Sequence, residues 1–122
     1  MKKSFPFLLI CLSLITYGCT SSKSWKTEKN SEMLRDYALC RCLTFAMPND
    51  TILAHEISAS IFGELSGYSS ESQDKIDSLA KRTVNDMLPS PIFDHGSRKP
   101  ILKNCILFYK SKELDSLIRI LK

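Results

Sequence analysis

The chain has 122 residues, 43% of them hydrophobic, and a formal net charge of +4, enough for one domain with a single core. So small a charge, with no basic run interleaved with aromatics, excludes nucleic acid as the partner and gives no reason to expect an anionic membrane surface.

Residues 1–18 read as an export signal: Lys2 and Lys3, an apolar run from Phe5 to Ile15, then the small residues Gly18-Cys19-Thr20-Ser21-Ser22. The run falls short of the roughly 20 residues that span a bilayer. Gly18-Cys19 resembles the bacterial lipobox, which implies a lipid-modified Cys19, although Thr16 and Tyr17 stand where a leucine and a small residue are usual. Plain cleavage with a soluble product is the alternative. Thr20 after the cysteine implies, by the same resemblance, sorting to the outer membrane. Removing the signal leaves 104 residues and, with Lys2 and Lys3 gone, a net charge of +2.

Residues 19–30 are polar and read as a tether, and 31–122 as the domain. Beyond the tether the apolar spacing is helical and never alternates with period two, so the expected fold is all-α, a single small domain of four or five short helices. A first helix over 31–47 is stopped by Pro48. Asp50 is expected to cap a second, with Leu53, Ile57, Ile61 and Leu65 as its core stripe and Gly67 as its stop. Ser70-Glu71-Ser72-Gln73 fits a capping box. It opens a third helix carrying Ile76, Leu79, Ala80, Thr83, Val84 and Met87. Residues 89–100 (PSPIFDHGSRKP) are the one long irregular segment. Helical spacing then resumes with Leu102, Cys105, Ile106 and Tyr109, and Ser111 caps a final helix bearing Leu114, Leu117, Ile118 and Leu121.

On a helical wheel Leu34, Ala38, Leu39, Cys42, Leu43, Phe45 and Ala46 share one arc. Cys40 lies about 200° away from Cys42, and residues two apart on a helix cannot face each other. Cys105 sits on the later apolar stripe, where Cys42 can meet it. In an oxidising compartment a Cys42–Cys105 disulfide is the favoured reading, with two buried free thiols as the alternative. Cys40 is left as a free thiol, or as half of an intermolecular bridge.

Catalytic and metal patterns are weak. A Cys40–His55 nucleophile pair needs only spatial adjacency, but neither residue carries a local signature and no third group orients them. Two histidines and a spare cysteine match no zinc spacing. Asp94-His95-Gly96 has the composition of a turn. The expectation is therefore a binding module with no enzymatic activity, cofactor, metal or small-molecule substrate.

Asp36-Tyr37-Ala38-Leu39 with Cys42-Leu43, together with Asn104-Cys105 and the segment from Phe108 to Leu114, resembles the periplasmic immunity proteins that neutralise amidase effectors of type VI secretion. Gly67-Tyr68 before a Ser/Glu-rich helix start, and a Pro/Gly loop before the second cysteine, fit the same pattern, over about residues 33–121. The resemblance implies a small α-helical protein that forms two-fold dimers and blocks the papain-like cysteine site of a peptidoglycan amidase. It also implies that an irregular loop, supported by the helix over 71–87, enters the effector's cleft. Here that loop is 89–98, with Ser90, Ile92, Phe93, Asp94, His95, Gly96, Ser97 and Arg98 as effector-binding residues. The family's paired cysteines map onto Cys42 and Cys105. Cys40 and the lipobox depart from the pattern. Ile92 and Phe93 either anchor a partner or fold back onto their own core. The rival reading is a structural adaptor lipoprotein of the envelope.

Overall fold

The computed structural model describes residues 22–121, with side chains from Lys29 onward. The export signal, Cys19 and the first tether residues lie outside the described residues. Five helices follow in order: α1 (Ser22–Ala46), α2 (Ser58–Ser66), α3 (Ser70–Asn85), α4 (Ile101–Tyr109) and α5 (Lys112–Ile120). Single 3-10 turns occupy Leu53–His55 and Phe93–His95, and the described residues contain no strand.

The central element is α1, against which all four other helices pack. It contains no glycine or proline and ends two residues before Pro48. Its start at Ser22 takes in residues 22–30, which the sequence suggested as a tether. Leu34, Tyr37, Ala38 and Cys42 form its buried stripe at helical spacing, with Leu39, Leu43 and Phe45 packed alongside. The expected arc is there, joined by Tyr37.

Two helices are rotated from expectation. Asp50 does not cap α2: its carboxylate accepts Ile52 N–H (2.9 Å) and Leu53 N–H (3.0 Å) and closes only the 3-10 turn. The α-helix starts at Ser58, and the expected stripe faces outward, with Ile57 64% and Leu65 57% exposed. The buried face is instead Gly63 and Ser66, with Ala59 and Phe62 packed on the core. A Cβ at Gly63 would stand 3.0 Å from Gln73 Oε1, so the absence of a side chain leaves room for the Gln73 amide beside α2, while α2 itself packs on α1. In α4 the buried face is Cys105 and Phe108 with Ile101 partly buried, while Leu102 and Ile106 are exposed. The disulfide sets this rotation by turning Cys105 toward α1.

The α3 cap is Ser69, one residue before the expected box, and its hydroxyl accepts Ser72 N–H at 3.2 Å. Gln73 does not reach back to the cap. Its amide donates to the carbonyls of Gly63 (3.1 Å) and Tyr68 (3.3 Å), tying α2 to α3. Ile76, Leu79, Ala80 and Met87 are buried as expected, with Thr83 and Val84 half-buried. Ser111 caps α5 by accepting Leu114 N–H (3.1 Å), and Leu114, Ile118 and Leu121 complete the core.

Cys42 and Cys105 form a disulfide between α1 and α4, Cα–Cα 5.7 Å, 63 residues apart in sequence and both without exposed surface. Closing a ring of that size is worth roughly 4 kcal/mol on the chain-entropy account. Polar brackets reinforce the helix packing. Asp77 on α3 receives Arg41 Nε (2.8 Å), Arg41 Nη2 (2.7 Å) and the Tyr37 hydroxyl (2.9 Å). The Arg41 guanidinium also lies over the Phe45 ring, 4.3 Å from its centroid. Arg35 pairs with Asp115 and donates to the Tyr109 carbonyl (3.1 Å), joining α1 to α5 and the end of α4.

Candidate functional site

The irregular segment 89–98 is a closed ring of short-range hydrogen bonds. α3 ends at Asn85, and the buried Met87 is the last core contact before it. Pro89 and Pro91 then bar helical continuation. Ser90 N–H donates to the Arg98 carbonyl at 2.9 Å and shuts the base of the ring. The Ser90 hydroxyl accepts Ile92 N–H at 3.2 Å and lies 2.9 Å from His95 Nδ1, bracing the ring across its middle. His95 N–H donates to the Ile92 carbonyl (3.0 Å) and Gly96 N–H to that of Phe93 (3.1 Å), making the 3-10 turn. Arg98 folds back over it, Nε to the His95 carbonyl at 3.0 Å and Nη2 to that of Asp94 at 3.4 Å.

Gly96 leaves the turn at φ 58°, ψ −138°. A side chain there would meet no neighbour, so the backbone angle alone is what favours glycine.

The expected loop residues are thus divided between two jobs. Ser90, His95, Gly96 and Arg98 build the ring, whereas Ile92 and Phe93 project from it. Phe93 is 97% exposed, so of the two alternatives for this side chain the inward-folded one is not the one adopted. Asp94 and Ser97 also face solvent, and Leu88, which the sequence did not single out, adds a third exposed apolar side chain at the ring's entry. Beside it the end of α3 and the start of α4 leave a groove of about 430 Å³, edged by Leu88, Pro91, Pro100 and Lys103. The brace was invisible in the sequence because Ser90–His95 is a contact between two ordinary loop residues. The only signal was a serine between two prolines.

Elsewhere, Cys40 is a free, half-buried thiol. Burial pushes its pKa up, and the carboxylates of Glu56 and Asp36 add to the shift. A nucleophilic cysteine needs the opposite. His55 is exposed on the 3-10 turn. Among the described residues no group of three or more His, Cys, Asp and Glu side chains could hold a metal ion. Alkylation of native protein by iodoacetamide at pH 8 is expected to modify Cys40 about tenfold or more slowly than a cysteine in a short peptide. Unfolded, non-reduced domain lacking residues 1–19 should take up one label at the peptide rate. Equal native and peptide rates would show the thiol to be accessible and unshifted.

The geometry defines a small, disulfide-stapled, all-α protein whose most distinctive surface feature is a braced loop with an apolar tip. Residues 32–118 match the family model of the type VI secretion system (T6SS) amidase immunity proteins, Tai4, and the chain belongs to that family. No curated protein and no solved structure matches the chain. The family match agrees with the resemblance drawn from the cysteine layout, and it spans the ring and both disulfide partners.

Proposed function

We propose that the protein binds a cognate T6SS peptidoglycan amidase in the periplasm and blocks its active-site cleft with residues 89–98, catalysing nothing itself and so protecting the cell from intoxication. The observation that carries this is the nearly complete exposure of Phe93 on a ring that is already folded. An aromatic side chain left in water gains its burial energy only when a partner covers it. The prolines and the internal hydrogen bonds have removed most of the loop's freedom beforehand, so little entropy is lost on docking. Asp94 and Ser97, on the same rim, are available to hydrogen-bond the walls of a cleft. A papain-like cysteine site in the amidase, a homodimeric state for the inhibitor and a lipid anchor at Cys19 belong to the same proposal.

The test is capture of the purified amidase encoded beside this gene by the oxidised mature protein, with cell survival read in parallel. Stoichiometric capture and protection, both lost when 89–98 is replaced by a Gly/Ser linker of equal length, are the expected results. Capture that survives the replacement would move the site off the loop. No capture and no protection would leave the helical envelope adaptor as the better reading.

A further inference from the structure

We propose that the Cys42–Cys105 disulfide is a positioning element of the binding loop, so that amidase capture requires oxidation of this pair as well as a folded domain. This rests on the reading of 89–98 as the amidase-binding segment.

The ring fixes its own shape but not its aim. The hydrogen bonds described for 90–98 close within the segment, and the next two, Ile101 N–H to the Lys99 carbonyl (2.9 Å) and Asn104 N–H to that of Pro100 (3.0 Å), run straight into α4. The ring therefore runs directly into α4 on one side, while on the other the buried Met87 ties it to the end of α3. Helix α4 has nine residues, too few to hold a helical conformation in water alone, so its orientation comes from its seat. Its principal packing partner is α1. Only Cys105 and Phe108 are buried side chains on it, while Leu102, Ile106 and Leu107 face solvent. One of its two buried anchors is thus half of the disulfide. Without the bond α4 keeps Phe108, the partly buried Ile101 and the Arg35 bond to the Tyr109 carbonyl but loses its covalent tie to α1, and the ring keeps its shape while its direction relative to α3 and the groove beside it is held less firmly. A partner that must meet both the tip and the groove then pays the ordering entropy that the bond removes beforehand.

The chemistry is a thiol–disulfide exchange. Cys42 and Cys105 give up two protons and two electrons to an oxidant of the disulfide class. One S–S bond forms here as one breaks in the oxidant, which leaves as a dithiol. Both cysteines have no exposed surface, so the folded protein shields the bond from dithiol reductants, and the oxidation belongs to folding.

The experiment compares amidase affinity among the oxidised protein, Cys42→Ala/Cys105→Ala and Leu117→Ala. The last truncates a partly buried side chain that packs on the core from α5, outside both the ring and α4, and serves as a destabilised control. All are measured at a temperature where far-UV circular dichroism shows each fully folded. The expected results are unchanged affinity for Leu117→Ala, about tenfold or greater weakening for the cysteine-free protein, and faster hydrogen exchange confined to 101–109. Equal affinity of the cysteine-free and oxidised proteins overturns the proposal. So does equal weakening in Leu117→Ala, which would make stability the whole effect. If Cys42→Ala/Cys105→Ala does not fold, Cys42→Val/Cys105→Ala, which keeps more apolar volume, is measured instead. Failure of both to fold likewise overturns the proposal, because the bond then acts through stability alone. Failure of the oxidised protein itself to bind would instead remove the functional reading beneath it.

Discussion

Phe93→Ala is expected to weaken amidase binding by about 3 kcal/mol, roughly a hundredfold in Kd, while leaving the domain as stable as before. The two halves of this expectation have separate physical grounds. At 97% exposure the ring contributes almost nothing to the folded monomer, and such surface substitutions usually stay within about 0.5 kcal/mol. A single aromatic on a pre-formed protrusion is, by contrast, the kind of side chain that carries a large share of an interface's energy when a pocket desolvates it. The ring itself is not disturbed, because its hydrogen bonds use backbone groups and the side chains of Ser90, His95 and Arg98. Titration calorimetry with the amidase, beside a thermal melt, measures both quantities at once. An unchanged Kd would show that the tip of the ring stays outside the interface.

Among single substitutions away from the disulfide, Asp77→Ala is expected to produce the largest loss of stability, about 3 kcal/mol. Asp77 is the shared acceptor for both the Arg41 fork and the Tyr37 hydroxyl, and its side chain is only 15% exposed. Its removal leaves the Tyr37 hydroxyl without its acceptor at the α1–α3 interface and strands the Arg41 charge in a half-buried site over Phe45. For a domain of this size that corresponds to a fall in Tm of more than about 10 °C. Urea unfolding of wild type, Asp77→Ala, Arg41→Ala and the double variant closes the cycle. A loss below about 1 kcal/mol would mean that solvent replaces the carboxylate.

The same bracket predicts an alkaline limit to stability. Burial, and then the hydrogen bond to Asp77, raise the Tyr37 pKa well above its usual value. The native state therefore holds the proton more tightly than the unfolded chain does. This contribution is fully present below the unfolded tyrosine pKa of about 10 and is lost progressively as pH rises above it. Tyr109, raised by partial burial and by Asp36, adds in the same direction. Tyr37→Phe should flatten most of the decline between about pH 10 and 11.5. A wild-type stability independent of pH over that window would contradict the assignment.

The sequence alone determined the helical class, because spacing by three and four is visible without any tertiary knowledge and prolines mark where it stops. It also determined the cap at Ser111, the pairing partner available to Cys42, the solitary Cys40 and the location of the irregular segment. The tertiary structure decided which face of each short helix turns inward. Periodicity relates residues on one helix to each other, but the absolute rotation of that helix comes from what it meets. For α4 this is a covalent bond to α1, which buries Cys105 and Phe108 and leaves Leu102 and Ile106 outside. For α2 it is the packing on α1, which buries Gly63 and Ser66 with Ala59 and Phe62 against the core and turns Ile57 and Leu65 to solvent. The loop followed the same division. Its composition marked an irregular segment with a turn at Asp94-His95-Gly96, whereas the Ser90–His95 brace and the outward Phe93 depend on contacts between residues that carry no spacing signal, so only the folded chain could supply them.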